Sequence, residues 1–111
     1  MPFNQTEYDQ LSAYARYRIM TVYFKRGWDS DAKTIYQTLQ EKYPEENPGY
    51  PYVEMAIEFW NEYQASHDLE AACDKSIMYV SQHAEILDPL GSHGLWDYSY
   101  YDPKIICPFH N

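Results

Sequence analysis

Residues 4–44 read NQTEYDQLSAYARYRIMTVYFKRGWDSDAKTIYQTLQEKYP, and this stretch decides the fold. Asn4 followed three residues later by Glu7 has the spacing of a helix-opening capping box, so a helix is predicted from about Gln5. Leu11, Ala15, Ile19, Val22 and Tyr23 recur at helical intervals and give that helix its apolar stripe, expected to face the core. Gly27 tolerates the left-handed backbone that ends helices, so the first helix is expected to stop there. Asp29 or Ser30 is suited to cap the second helix, in which Ala32, Ile35, Tyr36, Leu39 and Tyr43 keep helical spacing until Pro44 closes it.

Downstream, PEENPGYP at residues 44–51 is read as a loop because it concentrates proline and glycine. A third helix is predicted from about Tyr52 to Ser66, burying Met55, Ala56, Phe59, Trp60 and Tyr63. Its opposite side carries Glu54, Glu58 and Glu62 at strict i, i+4 spacing. Asp68 is positioned to cap a fourth helix, with Leu69, Ala72, Cys73, Ile77, Val80, Ala84 and Leu87 on one face, ended by Asp88 and Pro89. Residues 88–111 change character: prolines, glycines and a cluster of Trp96, Tyr98, Tyr100 and Tyr101 argue for a short strand or an extended strap. Such a strap either completes the core or meets a partner.

The expected architecture is therefore all-α. Two helical hairpins over residues 5–87 form a four-helix array, followed by an irregular aromatic tail over 88–111, all within one domain of 111 residues. Thirteen Tyr, four Phe and three Trp make 18% of the chain aromatic. Tyr and Trp join an apolar body to a polar tip, which suits either a Tyr-heavy core or a binding surface.

The net charge of −9 is uneven. Residues 1–33 hold five basic side chains (Arg16, Arg18, Lys25, Arg26, Lys33) against four acidic ones, while the rest holds three against thirteen. A field of that sign repels phosphate backbones and anionic lipid, which disfavours direct nucleic-acid or membrane binding and favours a partner protein with a basic or aromatic-accepting surface. No apolar run approaches the roughly 20 residues that span a bilayer, and Met1–Gln10 carries no targeting pattern, so a cytoplasmic location is expected. In that setting Cys73 and Cys107 are more often thiols than a disulfide, although pairing stays open.

Aligned on Tyr23 and Tyr63, the two helical pairs repeat at 40 residues, each with a tight turn and an alanine nine residues later, at Ala32 and Ala72. With Tyr36, Leu39, Pro44, Trp60 and Gly27, this layout resembles the tetratricopeptide repeat, a resemblance that implies stacked helical hairpins and protein binding. The segment AYARYRIMTVYFKRGWD, residues 13–29, is also similar, through Tyr23, Arg26, Trp28 and Asp29, to the start of the delta subunit of the vanadium and iron-only nitrogenases. That second resemblance implies a small helical accessory subunit.

Chemistry-bearing residues are sparse. Glu54, Glu58 and Glu62 lack the Glu-x-x-His partners of a bundle metal site, and Cys107 with His110 and His93 gives half a zinc site at most. No phosphate loop, dinucleotide fingerprint or nucleophile elbow appears, so neither a cofactor, a metal nor a catalytic residue is assigned. The expected function is a non-enzymatic protein-binding module or accessory subunit, with Glu54, Glu58, Glu62, Trp96, Tyr98, Tyr100 and Tyr101 as candidate contact residues. One alternative is an acidic inhibitor imitating nucleic-acid charge along the glutamate stripe; another is a small metal-dependent enzyme using the tail ligands.

Overall fold

The computed structural model describes residues 3–83 and contains four helices and no strand among them. They are α1 (Gln5–Lys25), α2 (Asp29–Lys42), α3 (Tyr50–Ser66) and α4 (Leu69–Gln82). The chain divides into two compact units, residues 1–53 and 54–111, and α3 runs through the boundary.

In the first unit, α1 opens as its sequence predicts: the Asn4 side chain accepts from the Glu7 amide at 3.1 Å. It closes through Gly27, whose φ of +78° lets two amides turn back on the helix end. Gly27 N donates to the Phe24 carbonyl at 3.0 Å and Trp28 N to the Tyr23 carbonyl at 2.9 Å, the paired bonds of a Schellman turn. The Tyr23 and Trp28 rings, 5.5 Å apart between centroids, supply the apolar contact that accompanies such turns. Trp28 also opens α2, since its carbonyl accepts from Ala32 N at 2.9 Å, and no side chain caps that helix. The expected Asp29 or Ser30 cap is thus replaced. Asp29 and Asp31 instead sit in the first turn, where their charge meets the positive end of the helix dipole.

α1 packs along α2, but on a different face from the one expected. The buried positions of α1 are Gln10, Ala13, Tyr14, Tyr17, Met20, Thr21 and Phe24, which have the i, i+3, i+4, i+7 spacing of a core face. Leu11, Ala15 and Ile19 are exposed, and Val22 and Tyr23 are only half-buried. Two stripes of helical period coexist on this helix, and the one that mixes Tyr14, Tyr17, Met20 and Phe24 with Gln10 and Thr21 won the core.

The loop after α2 is itself packed. Tyr43 is 1% exposed, and its hydroxyl lies 2.7 Å from Ser12 Oγ and accepts from Arg16 Nη1 at 2.9 Å. Asn47 Oδ1 accepts from Gly49 N at 2.8 Å, an Asx turn that presses Gly49 against α1. A Cβ at position 49 would stand 2.8 Å from Tyr43 Cδ1 and 2.9 Å from both Ala13 Cβ and the Asp9 carbonyl oxygen, so only glycine fits. α3 then starts at Tyr50, two residues earlier than expected, because Pro51 suits a first helical turn whose amides need no partner.

In the second unit, Met55, Ala56 and Phe59 are buried as predicted, while Trp60 and Tyr63 are half-buried. α3 ends at His67, which adopts a left-handed φ of +54° while its amide donates to the Tyr63 carbonyl at 2.8 Å. Asp68 caps α4 as expected, with Oδ1 accepting from Glu70 N at 3.0 Å and Ala71 N at 3.2 Å. Ser76 is fully buried and donates to the Met55 carbonyl at 3.0 Å, so its small side chain lets α4 approach the α3 backbone. Cys73 is fully buried and disulfide-bonded, which corrects the expectation of a thiol; the chain's other cysteine, Cys107, lies outside the described residues. α4 ends at Gln82, short of the end expected at Asp88 and Pro89, which together with Ala84 and Leu87 lie outside the described residues.

Candidate functional site

Two surfaces carry candidate residues, one in each unit. The first is the outer face of α1, where Leu11, Ala15, Ile19, Val22 and Tyr23, with Tyr14 and Arg18 at the margin, line an open groove of about 590 Å³. Leu11 is 45% exposed and Ile19 41%, and Tyr8 one turn upstream is 54% exposed. Large aliphatic side chains at repeated positions of one helix face form a patch of the kind that marks an interaction site, unlike scattered surface leucines.

The margin of this groove is fixed from behind. Arg18 Nη1 donates to the Tyr14 hydroxyl at 2.8 Å, and its guanidinium lies 5.7 Å from the centre of the Tyr14 ring. Burial pushes the Tyr14 phenol up from its ordinary pKa, while the hydrogen bond and positive charge from Arg18 act the other way. Burial also raises Tyr36, on α2.

The second surface belongs to α3 and α4. Glu58 is exposed, Glu54 and Glu62 are half-buried, and their i, i+4 spacing keeps the three on one side of α3. They are not a purely anionic stripe. Lys75 of α4 joins Glu54 and Glu58 around a groove of about 210 Å³ that Met78, Tyr79 and His83 also line. Lys75 also joins Glu58 and Glu62 around a second groove of about 230 Å³. His83 stacks on Tyr79 with ring centroids 4.0 Å apart, and its Nδ1 lies 2.9 Å from the Tyr79 carbonyl oxygen. Trp96, Tyr98, Tyr100 and Tyr101, and the possible tail ligands His93, Cys107 and His110, lie outside the described residues.

The structure therefore brings the three glutamates together and adds Lys75, which sequence reasoning left out. It also exposes the α1 stripe, which sequence reasoning assigned to the core. The signal was present: the spacing that yields Leu11, Ala15, Ile19 and Val22 sits beside a second set, Tyr14, Tyr17 and Phe24. Among the described residues, no helix is long and apolar enough to cross a membrane. No protein-family model, curated protein or solved structure matches the chain.

Proposed function

We propose that the protein is a non-enzymatic protein-binding module, a small helical subunit that docks through the outer face of α1. The observation that carries this reading is the exposed aliphatic stripe of Leu11, Ala15 and Ile19, with Val22 half-buried beside it, on a helix whose opposite face already fills a core. Leaving such a stripe in water forgoes the burial of several large side chains, each contributing on the order of 1.5 to 3 kcal/mol when covered. A partner surface supplies that burial. The glutamate stripe supports charge mimicry less well, since Lys75 stands among Glu54, Glu58 and Glu62 and breaks the run of negative charge.

The test is affinity capture of the full chain from its native source, wild type beside a Leu11→Glu/Ile19→Glu variant, with captured proteins identified by mass and untagged copies of the chain itself counted. The expected result is a protein retained by the wild type and lost by the variant, with the melting temperature unchanged. Equal capture by both chains would overturn the reading. So would a large drop in melting temperature of the variant, because it would place the stripe in the core.

A further inference from the structure

The exposed stripe has a two-fold pattern. α1 spans Gln5–Lys25, so Ala15 is its midpoint. Leu11 and Ile19 stand four residues to either side of it, and Tyr8 and Val22 seven to either side. At 1.5 Å per residue these pairs lie about 6 Å and about 10 Å from the midpoint, and all five positions fall within about a quarter of the helix circumference.

We propose that a second copy of this chain covers the stripe, the two α1 helices crossing antiparallel with Ala15 on the two-fold axis. The inference rests on the reading of this face as a docking surface and names its occupant. An antiparallel crossing sets Leu11 against Ile19 of the partner subunit and Tyr8 against Val22 of the partner subunit, each pair twice. The alanine at the centre permits the close approach of about 8 Å that small side chains allow between helix axes. A self-complementary patch is what a two-fold dimer requires, because every contact it makes is made again in reverse.

Charge selects the same arrangement. Glu7 and Lys25 are 18 residues apart, about five turns of an α-helix, so both project from one flank of α1. Glu7 is about 12 Å before the midpoint and Lys25 about 15 Å beyond it. Turning one helix end over end brings Glu7 beside Lys25 of the partner subunit on that flank, whereas a parallel two-fold pair sets the two Glu7 side chains at one level on opposite flanks and pairs neither with a lysine. The part of the chain that carries α1 is also suited to meet itself: residues 1–33 hold five basic and four acidic side chains, against three and thirteen in the remainder.

A single helix pair lies at the small end of specific interfaces, which bury about 1,200 Å² or more, so the dimer is a weak one with a Kd on the order of 10 μM. Sedimentation of the full chain from about 1 to 300 μM, a range bracketing that Kd, tests it. The wild type is expected to shift from monomer to dimer, and Leu11→Glu to weaken the dimer about 30-fold or more at unchanged melting temperature. Glu7→Lys and Lys25→Glu are each expected to weaken it by about 2- to 5-fold, and their combination to restore it.

Ala15→Cys is expected to cross-link into a covalent dimer on mild oxidation. Leu11→Cys is not, since antiparallel copies hold those positions about 12 Å apart along the axis. A chain monomeric at about 300 μM, or Leu11→Cys cross-linking as readily as Ala15→Cys, would overturn the proposal. A monomeric chain that still captures a different protein through this face would overturn self-pairing and leave the docking reading standing.

Discussion

Arg16 donates from Nη1 to the hydroxyl of Tyr43 at 2.9 Å, which fastens the end of α2 to the middle of α1. Ser12 Oγ, 2.7 Å from the same hydroxyl, completes a three-residue polar contact around a side chain that is almost wholly buried. Tyr43→Phe keeps the ring and removes both bonds. It is expected to cost about 1 to 2 kcal/mol, because a charged donor and a hydroxyl lose a shared buried partner. Denaturant unfolding measures it; a loss below about 0.3 kcal/mol would mean that water replaces the phenol without penalty.

Gly27 and Gly49 are both required, for different reasons, and alanine separates them. At Gly27 there is space around a Cβ and the penalty is the left-handed backbone alone, so Gly27→Ala is expected to cost about 1 kcal/mol. At Gly49 the Cβ meets Tyr43, Ala13 and the Asp9 backbone oxygen, all inside 3.0 Å. The helix backbone cannot withdraw without disturbing α1, so Gly49→Ala is expected to cost about 2 to 3 kcal/mol, the larger of the two losses. Thermal melts of the two variants side by side give the order.

His67 holds a backbone conformation that L side chains adopt at a cost, on an exposed helix end. Its ring makes an edge contact with Tyr63 at 5.6 Å between centroids. His67→Gly gives up that contact and relieves the strain, for an expected net gain of about 0.5 to 1 kcal/mol. A melting temperature that falls would show the Tyr63 contact to be worth more than the strain.

Tyr14 ties stability to alkaline pH. Its folded pKa is raised by burial, so the folded chain binds its phenolic proton more tightly than the unfolded chain. The resulting stabilisation is present in full below about pH 10, the ordinary tyrosine value, and is lost as pH rises through the folded pKa. Tyr36, raised in the same direction, acts in the same window. The unfolding free energy is expected to fall above about pH 10 and to fall less steeply in Tyr14→Phe. Equal slopes in wild type and variant would remove Tyr14 as a contributor.

Turn chemistry was legible in the sequence at four positions, though not at the start of α2, where Trp28 and not Asp29 or Ser30 holds the cap position, nor at the start of α3. Asn4, Gly27, Pro44 and Asp68 each act locally, through a side-chain cap, a left-handed φ or a missing amide, and each is where the chain's own composition put it. Burial on α1 was not legible, because aliphatics are the usual core residues and here they compete with a second stripe of the same period. Tyr17, Met20 and Phe24 offer more area than Leu11, Ala15 and Ile19, and Thr21 satisfies its hydroxyl on the Arg18 carbonyl at 2.7 Å. Periodicity identifies stripes; which stripe faces inward depends on what α2 and the Gly49 loop present to it. The place of Lys75 was not legible for a similar reason: it belongs to α4, and only the packing of α4 on α3 brings it among Glu54, Glu58 and Glu62.

The double duty of Trp28 has a consequence for how this chain can change over time. A residue that takes the last hydrogen bond of one helix and starts the first of the next leaves no slack between them. Adding or removing one residue there breaks either the bond that closes α1 or the bond that opens α2, so α2 loses the start that sets Ala32 and Leu39 on their buried side. A one-residue insertion or deletion at this junction is therefore expected to disrupt the α1–α2 packing more than most single substitutions on either helix.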